Sequence, residues 1–310
     1  MKFLIIGDLH IRATNPRYRI DDYYSTLMRK LKWIFDLAKK ENCGAILQPG
    51  DFFDSPDQSN KVEIDLINLL KEKDIPIYTV LGQHDLRFRQ PTNVALTKFD
   101  VLNKVCIVNK NGIDLGNNVH IYGASWEEEI PKIKDTKVIS ILVMHRMVIK
   151  DKSLWPGQTD YTTAKSILLR YVDYYLIVSG DNHNSFMATT TTEKKQGSVL
   201  LNCGSLMRTT VAQREHRPCI WIYDVDLHSF KQHFIPIAPI EDVMDLETAD
   251  EIKEKNEALE AFMEGLSSDY SIELNFEENL KNLMIENKTD NRIKKLGNSF
   301  LEKYYEGGIR

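Results

Sequence analysis

The residues with the clearest chemical potential form a short run in which an amide, an imidazole and a carboxylate are adjacent: Gln83, His84 and Asp85. They follow an apolar segment and Gly82, so they lie where a strand turns into a loop. Four more apolar, strand-like runs end in residues that can bind a metal. Their polar ends are Gly7-Asp8-Leu9-His10, Gly50-Asp51-Phe52-Phe53-Asp54, His145 and Gly180-Asp181-Asn182-His183. Five strand ends that carry ligands predict one metal site.

This donor set mixes carboxylate oxygens, imidazole nitrogens and an amide, which suits manganese, magnesium, iron or zinc. Two cations are the natural number, because the carboxylate of Asp51 can bridge them. Metals roughly 3.5 to 4 Å apart can activate water for in-line displacement at phosphorus. Each segment alone is a weak signal, since a buried histidine is more often a hydrogen-bonded core group than a ligand. All of them at strand ends, in this order, predict a dinuclear site.

The elements that must position these residues alternate along the first part of the chain. Strands are predicted at Lys2–Gly7, Ala45–Leu47 and Ile77–Leu81, and amphipathic helices from Asp21 to near Asn42 and from about Asn60 to Lys73. This β-α-β-α-β order implies parallel strands with right-handed crossovers. In such sheets ligands bind beyond the carboxyl ends of the strands, which is where the polar residues fall.

The remaining apolar segments predict a short helix and then a second sheet. The predicted fold is α/β, with two packed mixed β-sheets flanked by helices and a small C-terminal helical segment. The helix is predicted at Val94–Leu102, and the strands of the second sheet are predicted at Val105–Asn109, Val119–Ala124, Val138–Met144, Tyr174–Ser179, Val199–Asn202, Cys219–Val225 and Phe230–Ile235.

A change of composition predicts a domain boundary after residue 238. Beyond Pro236 and Pro239 the apolar strands stop, and Glu, Lys, Asp and Asn dominate. The prediction is a catalytic domain at 1–238 and a helical region at 239–310, with helices at Thr248–Leu266, Phe276–Ile285 and Arg292–Tyr304. Amphipathicity does not distinguish a helical cap on the same chain from a segment that docks a partner.

Length and composition limit the classes of protein. A chain of 310 residues with 42% hydrophobic residues can build a real core. It has no apolar run of bilayer length, no secretory leader pattern and four cysteines without C-x-x-C spacing, so we expect no membrane association and a reduced, cytoplasmic location. Whether the origin is cellular or phage stays open.

The net charge of −5 provides no general attraction to nucleic acid, so binding to a polyanion would need a local basic face. Four arginines near the ligand segments are candidates for contact with a substrate phosphate. They are Arg12, Arg87, Arg146 and Arg208. The alternative is that they are solvated loop charges.

The ligand segments resemble the motifs of the calcineurin-like metallophosphoesterases, which run D-x-H, G-D-x-x-D, G-N-H-D, a lone His and G-H-x-H. Within that superfamily the chain looks most like SbcD and the meiotic-recombination-eleven nucleases, including phage counterparts. The segment from Asn202 to Arg208 is similar to their P-G-S-x-x-R turn. The resemblance covers roughly residues 1 to 235 and implies a four-layer sandwich.

The resemblance implies a role for each matching residue. Asp8, His10, Asp51 and His183 would bind one metal, and Asp51, Gln83, His145 and Asp181 the other. His84 would be the catalytic imidazole that protonates the leaving oxygen, and Asp85 would orient it. Asp54 would contact the metal ligands and help to orient them without binding a metal itself.

Two residues depart from the family pattern, and both belong to the second metal. Gln83 replaces an asparagine, and Asp181 stands where a histidine is usual. An additional carboxylate favours Mn²⁺, or Mg²⁺, over zinc. The alternative is a weakened second site.

The resemblance implies a DNA nuclease, exonuclease or endonuclease, in DNA repair, recombination or replication, working with an SbcC-like coiled-coil ATPase subunit. A homodimer through the helices at Asn60–Lys73 and Val94–Leu102 is also implied. A phosphatase or small-molecule phosphodiesterase on the same scaffold is the first alternative, because the metal pair does not select the alcohol released. The second is a DNA-binding or partner-binding subunit with a weakened site.

Overall fold

The structure is a computed structural model of the chain, and it describes residues 1–90, 99–133, 137–155, 157–190, 197–248, 284, 290–296 and 299. In chain order its strands and α-helices are β1 (Lys2–Ile5), α1 (Tyr23–Lys40), β2 (Ala45–Gln48), α2 (Asn60–Lys73), β3 (Ile77–Thr79), β4 (Val105–Ile107), β5 (Ile113–Asp114), β6 (Val119–Ala124), β7 (Ile139–His145), β8 (Val148–Ile149), β9 (Thr162–Thr163), α3 (Ala164–Arg170), β10 (Leu176–Gly180), β11 (Phe186–Thr189), β12 (Val199–Asn202), β13 (Cys219–Asp224) and β14 (Ser229–Phe234). Short 3-10 turns occupy Arg87–Arg89, Phe99–Val101 and Val211–Gln213.

The first sheet has the order β14-β13-β1-β2-β3-β4. Strands β1 to β4 run parallel to one another, and β13 pairs with β1 in the antiparallel sense. The second sheet has the order β11-β12-β10-β7-β6-β5, with β12, β10, β7 and β6 parallel. Strands β8 and β9 form a separate short pair.

The assignment of strands to sheets was wrong for three of them. Strands β4, β13 and β14, expected in the second sheet, belong to the first. Strand β4 extends the parallel run beside β3, and β13 returns from late in the chain to cover the free edge of β1. An apolar period of two identifies a strand but carries no information about its partner.

Alternation along the strands divides the apolar side chains between layers. Phe3 and Ile5 of β1 face the space between the sheets, where they pack with Val143 and Val178 of the second sheet. Leu4 faces the opposite way, toward the helices. Together with α3 on the outer face of the second sheet, this gives four layers, as predicted.

Helix α1 shows how local sequence fixes the helical layer. Asp22 caps its first turn by accepting a hydrogen bond from the Ser25 amide at 3.0 Å. Leu27, Leu31 and Ile34 recur at the helical period and are buried against the first sheet. Burial of each such side chain stabilises the fold by about 1.5–3 kcal/mol.

The chain divides into two compact units, Met1–Met244 and Asp245–Arg310. In the second unit the structure describes helical residues at 246–248, 284, 291–296 and 299, and the rest of the three predicted C-terminal helices lies outside the described residues. The helix predicted at Val94–Leu102 is described only from residue 99, as a 3-10 turn. Among the helices that are described, none combines the length and apolar character needed to cross a bilayer.

Candidate metal centre

The predicted ligands lie beyond the carboxyl ends of parallel strands, and backbone hydrogen bonds join the loops that carry them. The amides of Leu9 and His10 both donate to the Asp51 carbonyl, at 3.1 and 3.0 Å. Across the two sheets, the Asp181 amide donates to Asp8 Oδ2 at 2.9 Å. Loops from β1, β2 and β10 are therefore fixed relative to one another by contacts at the ligand residues themselves.

Three of these ligand residues have a left-handed backbone conformation. The φ angles of His10, Asp51 and Asp181 are 44°, 49° and 76°. Non-glycine residues adopt this region uncommonly, at a cost on the order of 1–3 kcal/mol each, and such strain concentrates at functional sites. The backbone conformation that positions these side chains therefore lowers the stability of the fold.

The first group of ligands surrounds His183. Its Nε2 lies 3.0 Å from His10 Nε2 and 3.7 Å from Asp8 Oδ2. One ligand atom from each of Asp8, His10 and His183 fits within 4.8 Å of the other two. His10 Nε2 is also 3.7 Å from Asp51 Oδ2, so the four residues assigned to one metal converge.

The second group surrounds His145. Its Nε2 lies 3.4 Å from Asp51 Oδ2 and 4.0 Å from Asp181 Oδ1. The Gln83 amide donates to Asp181 Oδ1 at 2.9 Å, which brings the two unusual residues together. Asp51 is shared by both groups, as a bridging carboxylate must be.

Unpaired buried atoms test whether these residues fit a metal. Asp8 Oδ1, Gln83 Oε1 and His145 Nε2 are buried and have no hydrogen-bond partner. Native structures rarely leave such atoms unsatisfied without a cause such as an ion. The tautomer of His145 agrees, because its Nδ1 donates to the Pro49 carbonyl at 2.7 Å and leaves the Nε2 lone pair directed into the site. The residues fit a pair of divalent cations.

The electrostatics of the site favour a cation. Burial raises the pKa of Asp8 well above its usual value, and the neighbouring Asp51 and Asp181 carboxylates add to this rise. Burial opposes charge on His145, but the interactions with Asp51, Asp8 and Asp181 together outweigh it and raise the pKa of that imidazole to about 10. Burial lowers the pKa of His10 to about 3, which keeps its imidazole neutral and able to act as a ligand.

His84 lies beside the first group, with its ring centroid 5.0 Å from that of His10. Its backbone amide donates to Asp51 Oδ1 at 3.0 Å. Its Nδ1 is 2.9 Å from the Asp54 carbonyl, which fixes the ring and assigns a proton to that nitrogen. The Nε2 atom is left to act on a substrate.

The Asp85 side chain was expected to orient His84, but the structure places it in a different set of contacts. Its buried carboxylate accepts from the amides of Phe53, Gly82 and Phe52, at 2.9, 2.9 and 3.3 Å. Burial raises its pKa to about 7. Asp85 therefore joins the two ligand loops, and the Asp54 carbonyl orients the imidazole. The Asp54 side chain lies 3.8 Å from His10 Nδ1.

The four candidate arginines occupy different environments. Arg12 forms an ion pair with Asp54 at 2.9 Å, and Arg87 pairs with Asp57, so both lie on the loops that carry ligands. Arg146 donates to the Glu128 carbonyl at 2.9 Å. Arg208 is only 5% exposed and donates to the Ala238 carbonyl at 2.7 Å. Arg208 is therefore buried, whereas the other three arginines are partly exposed.

Gln213 supports the site although no motif pointed to it. Its Nε2 lies 3.3 Å from His183 Nδ1 and 2.9 Å from Ser205 Oγ, while its Oε1 accepts from the Thr209 amide at 2.7 Å. The amide thus holds the outer edge of His183. The sequence offered only a threonine three residues before a glutamine, a pattern of helical turns that gives no hint of contact with a distant histidine.

Two glycines lie so close to ligand carboxylates that a side chain would displace them. A Cβ on Gly82 would lie 2.1 Å from Asp51 Oδ1, and one on Gly180 would lie 2.6 Å from Asp8 Oδ1. The glycines in the motifs are therefore required for packing of the backbone against the ligands.

We expect Gly82→Ala to destabilise the protein by about 1–3 kcal/mol, as overpacking does, and to weaken metal binding because Asp51 must move. Denaturant unfolding and Mn²⁺ titration measure the two effects. Gly44→Ala is the matched control, since the nearest atom to its Cβ would be 3.9 Å away. Equal stability and metal affinity in both variants would contradict the role given to Gly82.

A four-layer sandwich with metal ligands at its strand ends and an imidazole beside them defines a metal-dependent phosphoesterase. Residues 1–185 match the model of the family described as calcineurin-like phosphoesterase. The chain belongs to this family, whose members use a dinuclear metal site and hydrolyse phosphoester bonds.

Two curated relatives are archaeal proteins, each named DNA double-strand break repair protein Mre11. The protein of Sulfolobus acidocaldarius is 28% identical over 162 residues, which is 47% of this chain and 41% of that protein. The protein of Sulfurisphaera tokodaii is 30% identical over 180 residues, or 51% and 45%. The chain therefore matches less than half the length of these relatives. A solved dimetal phosphatase from Danio rerio has the same fold, with a TM-score of 0.50, 11% identity and coverage of 77% of this chain and 97% of its own.

Proposed function

We propose that this protein is a metal-dependent DNA nuclease that hydrolyses phosphodiester bonds at a dinuclear site. The observation that carries the proposal is the convergence of two ligand groups on Asp51, with buried ligand atoms of Asp8, Gln83 and His145 unpaired. DNA as substrate is supported by the likeness to the two archaeal repair proteins and by the arginines on the ligand loops.

Asp8, His10, Asp51 and His183 would bind one cation, and Asp51, Gln83, His145 and Asp181 the other. When bound, the cations supply Lewis acidity and lower the pKa of water for attack on phosphorus. His84 would give a proton from Nε2 to the leaving oxygen in its doubly protonated form, in which Nδ1–H donates to the Asp54 carbonyl. Asp85 keeps the loops of Gly82 and Phe53 together, so that the imidazole and the ligands stay aligned.

Direct assay tests the proposal. Purified protein with Mn²⁺ is expected to cut single-stranded or double-stranded DNA, and chelation of the metal is expected to stop it. The leading alternative is a phosphatase or small-molecule phosphodiesterase, and it would be supported by intact DNA together with hydrolysis of methyl 4-nitrophenyl phosphate. One bound ion without turnover on any ester would support a binding subunit instead.

Manganese is the proposed cation because Asp181 adds a hard oxygen donor at the second group, 4.0 Å from His145 Nε2. We expect Asp181→His to raise zinc-supported activity relative to manganese-supported activity by on the order of tenfold. Histidine tolerates the left-handed backbone of this position, so the fold should persist. Activity is measured across Mn²⁺, Mg²⁺ and Zn²⁺, with the exposed Asp114→His as control. An unchanged order of metals would contradict this role of Asp181.

We also propose an SbcC-like coiled-coil ATPase subunit as partner and a homodimer as the working form. Ile64 of α2 is 56% exposed although Val62, Leu66, Leu69 and Leu70 of the same helix are buried, which supports a contact through that helix. Sedimentation of the wild type and of Ile64→Glu tests the homodimer, since a charge at such a contact would dissociate it.

A further inference from the structure

Phe88 has two unusual properties at once. Its side chain is 78% exposed, the highest fraction among large apolar residues in the described ranges. Its φ angle is 59°, and that of Arg89 is 51°, so two consecutive non-glycine residues are left-handed. For a bulky residue this conformation is a genuine outlier. No other Phe, Tyr or Trp in the described part of the chain has a positive φ.

Neither property helps the fold. An exposed ring contributes no core burial, and the left-handed backbone carries strain that persists only when the surroundings impose it. Those surroundings are well anchored: Asp85 is held by three amides, Leu86 is buried, and the Arg89 amide donates to the Leu86 carbonyl at 3.1 Å. The segment therefore presents the ring to solvent next to residues that are held by burial and backbone hydrogen bonds.

The position of the ring is limited by the chain. Phe88 follows His84 by four residues, so their Cα atoms are at most about 15 Å apart. Successive nucleotides rise by about 3.4 Å along one strand of a duplex, so this distance spans roughly four nucleotides. A DNA strand that has its scissile phosphate at His84 and runs toward Phe88 would therefore bring bases within reach of the ring.

We propose that Phe88 is a stacking platform for an unpaired base within a few nucleotides of the cleaved phosphodiester, with Arg89 on a neighbouring phosphate. The inference rests on the proposed nuclease function and deepens it. An exposed aromatic ring beside an exposed guanidinium is the combination that binds single-stranded nucleic acid without reading its sequence. A base stacked on Phe88 is not paired, so the substrate class is single-stranded DNA or duplex DNA that frays at an end.

The test compares the loss of the ring with the loss of the base. Full-length protein carrying His84→Ala is expected to bind single-stranded oligonucleotides in Mn²⁺ and to cut them slowly enough for fluorescence anisotropy to give the Kd. Adding Phe88→Ala is expected to weaken binding between about 5-fold and about 150-fold, the range for loss of one stacked base. Phe88→Trp should retain affinity, and Phe88→Leu should lose it, because a leucine is apolar but cannot stack.

Abasic sites then identify the base. Removing one base near the scissile phosphate should weaken binding to the protein with Phe88 and have no effect once Phe88 is alanine. This non-additive result is expected when the base and the ring are in direct contact. Leu227→Ala is the matched control, since this side chain is 74% exposed and lies in the turn between β13 and β14. Phe88→Ala should leave the unfolding midpoint unchanged.

The outcomes separate this inference from the function on which it rests. If the wild type cuts DNA and Phe88→Ala binds intact and abasic strands like its parent, the platform is wrong and the nuclease stands. If the wild type hydrolyses methyl 4-nitrophenyl phosphate but neither binds nor cuts DNA, both fail. If Phe88→Ala changes only the sedimentation of the protein, the ring contacts a second copy and the inference is overturned.

Discussion

His84→Ala is expected to reduce turnover on DNA by about 10²–10⁴-fold while both metals stay bound, the range for loss of a general acid. The imidazole lies next to the ligands, yet its Nδ1 is taken by the Asp54 carbonyl, so the side chain is fixed for proton transfer through Nε2. The contact of this residue with Asp51 is made by its backbone amide, which alanine retains. Metal content should therefore be unchanged.

Single-turnover cleavage and elemental analysis of bound manganese measure the two quantities on the same preparation. His228→Ala, which removes an exposed imidazole in the turn between β13 and β14, is the matched control. Full activity of the His84 variant would remove this residue from the chemistry. Loss of metal together with activity would assign it to the ligands instead.

Asp51→Asn is expected to lower metal affinity by more than about 100-fold and to abolish activity. Mutation of a residue that only hydrogen-bonds to a ligand lowers metal affinity by about 10- to 100-fold, and loss of a direct ligand should lower it further. Asp51 Oδ2 lies 3.7 Å from His10 Nε2 and 3.4 Å from His145 Nε2, so it faces both groups. Asparagine keeps the shape, accepts the His84 amide through Oδ1 and tolerates a φ of 49°. The change therefore removes charge with little disturbance of the backbone.

Thermal unfolding with and without Mn²⁺ gives a measurement that does not depend on turnover. At a metal concentration 100-fold above Kd the wild type should gain about 2.7 kcal/mol of stability by mass action. The Asp51 variant should gain almost none, and Asp114→Asn, an exposed carboxylate in the hairpin of β5 and β6, should behave like the wild type. An equal gain in the Asp51 variant would show that this carboxylate does not bridge two cations.

The two variants form a pair that separates proton transfer from metal binding. One keeps the ligands and loses an acid, whereas the other keeps His84 and loses the shared ligand. If both variants lost metal, the assignment of ligands and acid would need to be redrawn around His84.

The sequence alone determined the class of the fold and predicted the candidate ligand residues. Apolar runs that end in Asp8, Asp51, His145 and His183 predicted strands with polar carboxyl ends. The carboxyl ends of parallel strands meet at one edge of a sheet, so polar side chains at these positions come close together. The structure brings these residues into two adjoining groups. The amphipathic period of α1 and its Asp22 cap were also readable locally, since both depend on residues within a few positions.

Only the tertiary structure decided which strands pair, which atoms orient His84 and what supports His183. Strand β13 pairs with β1 from the far end of the chain, Asp54 holds His84 through a backbone carbonyl, and Gln213 reaches a histidine 30 residues away. Such contacts join residues distant in sequence or use main-chain atoms that every residue possesses. They leave no periodicity or residue type in the sequence by which they could be found.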